Sequence, residues 1–150
     1  MLTQQLRDLY QEVILDHTKN PRNFGKLSSV SHDAKGHNPL CGDRLELYLF
    51  LDGERIEGVS FVGAGCAIST ASASMMTETL KGKTAQEAEA LIGKFQNVVT
   101  GRSLCEDDSL GKLAVFAGVR DYPVRVKCAT LAWHTLRAAL VHKAEAVSTE

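Results

Sequence analysis

The sequence predicts an α+β fold organised as one compact domain over residues 1–150, and three observations carry that prediction. Residues 44–51 alternate, with Leu45, Leu47, Leu49 and Leu51 set among Arg44, Glu46, Tyr48 and Phe50, the period of a half-buried strand. Segments of helical period lie before and after that region. No internal repeat, low-complexity linker or composition shift divides the 150 residues, a length that suits one ordinary domain.

The elements follow in chain order. Thr3 to Lys19 reads as an amphipathic helix, with Leu2, Leu6, Leu9, Tyr10, Val13 and Ile14 on one stripe. Asn20-Pro21 ends it, because proline disfavours the helical region for the residue before it. Lys19, Arg22 and Lys26 then form a small basic patch, read as solvated surface. A strand is expected around residues 29–37 and a hairpin over residues 44–64. Asp52-Gly53 supplies the hairpin turn, Ile56, Val59, Phe61 and Val62 the second strand, and Gly58 a bulge or close approach.

From Ala67 the period becomes helical to about Lys81, with Gly82 as the stop. Met75-Met76 and the Ser/Ala-rich run at 69–74 are expected to pack this helix closely onto the sheet. Thr84 and Glu87 form a capping box opening a helix whose buried face is Ala88, Leu91, Ile92, Phe95 and Val98. Residues 101–109, with Glu106-Asp107-Asp108, read as an exposed loop. A short helix over residues 110–119 carries Leu110, Leu113, Ala114 and Ala117 at i, i+3, i+4 and i+7. Pro123 precedes a last helix running to about Lys143.

Composition excludes several classes. Seventeen Lys and Arg against eighteen Asp and Glu leave a net charge of −1, without the basic footprint that nucleic-acid binding requires. No apolar run reaches the roughly 18 residues of a membrane span, and the polar N-terminus lacks a secretory signal. A cytoplasmic protein is the expectation, with no nucleic-acid and no membrane partner. With five Phe, three Tyr and one Trp, aliphatic and small residues must carry the core.

Four cysteines in such a compartment point to metal binding or thiol chemistry rather than disulfides. No CxxC pair is present, so a zinc ribbon and a thioredoxin-type motif are disfavoured, and any joint site must be assembled by the fold. Cys41 lies in Asn38-Pro39-Leu40-Cys41-Gly42-Asp43, a Pro/Gly turn before the first clear strand. Cys66 lies in Gly63-Ala64-Gly65-Cys66-Ala67-Ile68-Ser69, at a strand-to-helix junction. Cys128 follows Arg125-Val126-Lys127 in the first turns of the final helix. Helix starts and nearby cations such as Arg125 and Lys127 favour thiolates, which are both soft metal ligands and sulfur nucleophiles.

Asp43, two residues after Cys41, offers a harder fourth ligand, and three thiolates with one carboxylate would satisfy tetrahedral zinc. Separate buried cysteines are the alternative reading. Cys105, beside Glu106-Asp107-Asp108, sits where acid neighbours disfavour a thiolate and is read as a bystander. His17, His32, His37, His134 and His142 are scattered and neighbour no cysteine, and His134, about two turns from Cys128, is read as a surface or core-satisfied imidazole rather than a ligand. No GxSxG, Walker A, GxGxxG or HExxH motif occurs.

These three cysteine segments resemble the motifs of the IscU/NifU-N iron–sulfur cluster assembly family. Leu9-Tyr10, Asp16-His17 and Asn20-Pro21-Arg22-Asn23 are similar to its N-terminal helix and loop, so the likeness runs along nearly the whole chain. The fold it implies is a small antiparallel β-sheet with helices packed on one face. The chain looks closest to the SufU type. Lys127 stands where the IscU type has a histidine, and Gly101 to Val119 looks like the stretch that the SufU type inserts. Tyr122-Pro123-Val124-Arg125-Val126-Lys127 replaces the chaperone-binding Leu-Pro-Pro-Val-Lys.

The resemblance implies a zinc-dependent sulfur carrier serving a pyridoxal-phosphate-dependent, SufS-type cysteine desulfurase and passing sulfur to downstream iron–sulfur assembly proteins. It also implies zinc ligands Cys41, Asp43, Cys66 and Cys128. Cys41 is the expected sulfur acceptor, because its turn opens more cheaply than a helix start. Arg125 and Lys127 are expected to offset the charge of the site. The alternatives are a scaffold holding iron or a [2Fe–2S] cluster on the same residues, and a structural zinc protein.

Overall fold

The computed structural model describes residues 4–39, 42–100, 108–119, 121–141 and 147–148. Helix α1 (Gln4–Lys19) leads into strands β1 (His32–Asn38), β2 (Asp43–Asp52) and β3 (Arg55–Ala64). Helices α2 (Ala67–Leu80) and α3 (Ala85–Val99), a 3₁₀ helix (Asp108–Val119) and α4 (Pro123–Leu140) follow, and β4 is the two residues Val147–Ser148. The sheet order is β3-β2-β1-β4, antiparallel throughout except that β4 runs parallel to β1.

The alternation read from the sequence becomes the two faces of this sheet. Ala34, Leu45, Leu47, Leu49, Ile56, Val59 and Phe61 are buried beneath the helices. Helix α4 packs on β1 and β2, and α2 on β3, so the sheet carries its helices on one face. The register shifts between Phe50 and Leu51, so that Phe50 pairs with Gly58 and Leu51 with Ile56, the irregularity that Gly58 signalled. Gly36 sets the approach of α4: a Cβ there would strike Thr135 Oγ1 and lie 3.0 Å from Leu131 Cδ1.

Local signals held best. Thr84 caps α3 as expected, accepting the Glu87 N–H at 3.1 Å while Glu87 accepts the Thr84 N–H at 3.0 Å. The expected short helix at 110–119 forms, but as a 3₁₀ helix beginning at Asp108. Helix α4 ends at Leu140, short of Lys143, and Lys143 lies outside the described residues. The Ser/Ala run of α2 is buried on more sides than the sheet alone accounts for, because α1 and α4 flank it as well. Small side chains let three elements close on one helix, and hydroxyls then bridge them. Ser72 donates to the Ala129 carbonyl of α4 at 2.6 Å and accepts Trp133 Nε1–H at 3.1 Å. Buried His17 of α1 meets Ser74 Oγ at 2.7 Å through Nδ1 and Glu78 at 3.4 Å through Nε2.

The segment after α1 seals the β3 edge. Asn23, at φ 56°, accepts the Phe61 N–H at 3.0 Å through its carbonyl, and Gly25 N–H donates to the Phe61 carbonyl at 2.8 Å. In the basic patch, Arg22 is paired with Asp16 at 2.6 Å, which holds the Asp16 carboxyl below its usual range.

Candidate metal centre

The β1–β2 connection starts at Asn38 and ends at Asp43, and these two residues pair directly. Gly42, at φ 71°, donates its N–H to the Asn38 carbonyl at 2.9 Å and tightens the turn. Cys41, in this connection, lies outside the described residues, as does Cys105. Asp43 opens β2 with its side chain on the helix-covered face, fully buried.

Cys66 is the N-cap of α2. Its Sγ accepts the Ser69 N–H at 3.4 Å, the place that a serine or aspartate oxygen commonly takes. The Cys66 N–H points back into the sheet and donates to Asp43 Oδ1 at 2.8 Å. Cys128 comes from α4, with 2% exposure, and its Sγ accepts an N–H from Asn38 Nδ2 at 3.6 Å. Residues 90 apart in sequence are joined by that contact.

Asp43, Cys66 and Cys128 thus present one carboxylate oxygen and two sulfurs within 4.8 Å of one another. Tetrahedral zinc with bonds of about 2.0–2.3 Å would separate such ligands by about 3.5–3.8 Å, a modest contraction. Two features suit a cation. Asp43 Oδ2 is buried and has no hydrogen-bond partner among the described residues, a costly state for a carboxylate oxygen unless something positive meets it. Gly65 makes room for that carboxylate, since a Cβ there would strike Asp43 Oδ1 and lie 3.0 Å from its Cγ. A mixed thiolate–carboxylate set is what borderline-soft divalent ions accept.

The remaining expectations meet the structure unevenly. Cys128 sits six residues into α4, past the first turn where a helix N-terminus favours an anion; Cys66 holds that position on α2 instead. Arg125 is exposed and places its guanidinium over the Tyr122 ring, 4.8 Å from the centroid. Lys127 is half-buried. No histidine joins the cluster among the described residues, and His142 lies outside them. Burial, with Arg137 adding to it, pushes half-buried His134 below its usual pKa. Asn38 and Gly65 are neighbours of the candidate centre that residue chemistry alone did not single out. Both stand inside the motifs that carry the cysteines, and that proximity is the signal that could have found them.

Comparison with known proteins shows the family of the chain. The family described as NifU-like N terminal domain matches residues 9–146. The iron–sulfur cluster assembly scaffold protein IscU of Streptococcus pyogenes is 41% identical over 146 residues, covering 97% of this chain and 91% of its own. The zinc-dependent sulfurtransferase SufU of Bacillus subtilis is 45% identical over 132 residues, covering 87% and 88%. A crystal structure of a putative iron–sulfur cluster assembly scaffold protein for the SUF system from Fervidobacterium islandicum superposes with a TM-score of 0.82 at 40% identity, covering 89% of this chain and 98% of that one. No helix among the described residues is long and apolar enough to cross a membrane.

Proposed function

The chain belongs to the NifU-like N-terminal domain family, and from that premise we propose that it is a cytoplasmic, zinc-dependent sulfur carrier in iron–sulfur cluster biogenesis. The observation that carries this reading is the trio of Asp43, Cys66 and Cys128 with a carboxylate oxygen that has no partner among the described residues. Cys41, two residues from Asp43, is the fourth ligand in this reading. The 45% identity to a protein named a zinc-dependent sulfurtransferase supports zinc, as does the resemblance to the SufU type at Lys127, the position where the IscU type has a histidine.

The chain's partner is a SufS-type cysteine desulfurase, which presents a persulfide on its own cysteine. The acceptor thiolate here attacks the outer sulfur; one S–S bond forms, the desulfurase S–S bond breaks, and the desulfurase cysteine leaves as a thiolate. Sulfur is transferred without net oxidation. Cys41 is the acceptor, because Cys66 caps a helix with its sulfur and Cys128 is buried within another. Zinc, when bound, keeps the thiolates deprotonated and shields them from oxidation at rest. Asp43 contributes the one oxygen ligand, oriented by the Cys66 N–H.

A second reading, a scaffold for a [2Fe–2S] cluster on the same residues, is favoured by 41% identity over 97% of this chain to a protein named an IscU scaffold. Desulfurase turnover, measured with zinc-loaded and chelator-stripped protein, separates the two. Strong stimulation by the zinc form alone, with added sulfur mapped to Cys41 by mass spectrometry, is the expected result. Equal turnover with and without this chain would overturn sulfur transfer. Persulfide confined to Cys66 or Cys128 would overturn the acceptor assignment only.

A further inference from the structure

Among the described residues, each member of the centre accepts an N–H: Asp43 Oδ1 from Cys66, Cys66 Sγ from Ser69, and Cys128 Sγ from Asn38. The first two donors are backbone amides and belong to the fold. The third is a side chain, fully buried at the end of β1 and held opposite Asp43 by strand pairing. The Asn38 carbonyl also accepts the Gly42 N–H, so this residue touches both the turn before Asp43 and the helix that carries Cys128.

Resting on the sulfur-carrier reading, we propose that Asn38 is a positioning residue that keeps Cys128 a fixed ligand and makes it a poor sulfur acceptor. An amide N–H directed at a thiolate occupies one lone pair and draws charge from the sulfur, which lowers its nucleophilicity. Three thiolates around one ion would otherwise compete for the same electrophile. Restraining those that must stay bound directs reaction to the remaining one. Asn38 does this for Cys128 as the Ser69 amide does for Cys66, but only Asn38 can be altered without altering the backbone.

The test uses the full chain. In wild-type protein loaded with cadmium-113, a through-bond NMR correlation between the metal and the Asn38 side-chain amide is expected, beside one to the Ser69 backbone amide. In zinc-loaded Asn38→Ala and Asn38→Asp, alkylation mapped by mass spectrometry should rise about tenfold at Cys128 relative to Cys66. The aspartate variant keeps the shape and removes the donor, so it separates hydrogen bonding from packing. Bound cadmium without the Asn38 correlation would overturn the inference, even if neither variant folds. So would labelling that rises equally on both cysteines, or an Asn38→Asp protein whose Cys128 stays as protected as in wild type. A chain that binds no metal would remove the function proposed above together with this inference.

Discussion

Oδ1 of Asp43 and the backbone N–H of Cys66 are 2.8 Å apart, and that bond decides which carboxylate oxygen is left over. Oδ2 remains buried without a partner among the described residues, so among these no group compensates that acceptor in the metal-free protein. Asp43→Asn keeps an oxygen for the Cys66 amide and turns Oδ2 into a donor beside two sulfurs. We expect its metal-free form to be more stable than wild type by about 1–3 kcal/mol. Zinc should then stabilise it far less than it stabilises wild type. Thermal midpoints with and without zinc check both halves, and equal zinc stabilisation of the two proteins would count against Asp43 as a ligand.

Gly65 is the counterpart of that carboxylate. Adding one methyl places a carbon against Asp43 Oδ1 and 3.0 Å from Cγ, with the side chain enclosed and unable to retreat. Gly65→Ala should lower zinc affinity by at least about tenfold in chelator competition and destabilise the fold by about 1–3 kcal/mol. Gly93→Ala, where a Cβ meets nothing within 4 Å, is the control and should leave zinc affinity unchanged.

How much of this was legible beforehand depended on the reach of each interaction. The β2–β3 hairpin and the Thr84–Glu87 box were readable because their partners sit close along the chain and leave a period or a spacing. The junction cysteines could be singled out by their glycine and proline neighbours. Asp43 was offered as a ligand by its place two residues after Cys41, but the full set rested on family resemblance, since the Cys66–Asp43 and Cys128–Asn38 contacts cross 23 and 90 residues. Leu110 with Leu113, and Ala114 with Ala117, fit either helix type, because spacing of three also suits a 3₁₀ turn. Helix α2 packs on the sheet as its Ser/Ala run implied, but Ser and Ala mark close packing without showing how many neighbours are close. Two residues of β4 are too few for any pattern.

On the opposite face of β2, Glu46 accepts a hydrogen bond from the Tyr48 hydroxyl at 2.7 Å. That bond, aided by burial, pushes the Tyr48 pKa up to about 12 and holds Glu46 below its usual range. A tyrosine whose proton is held more tightly in the folded state stabilises the fold below its unfolded pKa of about 10. That contribution disappears as pH climbs toward about 12. The depressed Glu46 works at the other end, contributing above about pH 4 and losing its contribution as acid protonates it. An ultraviolet titration should show one of the three tyrosines lagging near pH 12, and Glu46→Gln should bring it back toward 10. Ionisation of all three together in wild type would mean that the bond is not made.

The two helices that carry Cys66 and Cys128 are locked to each other by Ser72. Its hydroxyl donates to the Ala129 carbonyl at 2.6 Å and accepts the Trp133 indole N–H at 3.1 Å, and both side chains are buried. Ser72→Ala removes one atom and orphans the indole N–H, at a cost of about 1–3 kcal/mol. The indole is also stacked on Phe95 with centroids 4.5 Å apart, so it cannot turn to seek a new partner without losing that packing. Because Cys66 leads α2 and Cys128 lies one residue before Ala129 on α4, loosening this contact should loosen the metal site. Zinc affinity should fall together with stability, and bound zinc should restore part of the lost midpoint. Trp133 is the only tryptophan, so its fluorescence reports this position during unfolding. A Ser72→Ala protein with wild-type zinc affinity but a lowered midpoint would show that the two cysteines are positioned by the sheet and the motifs alone.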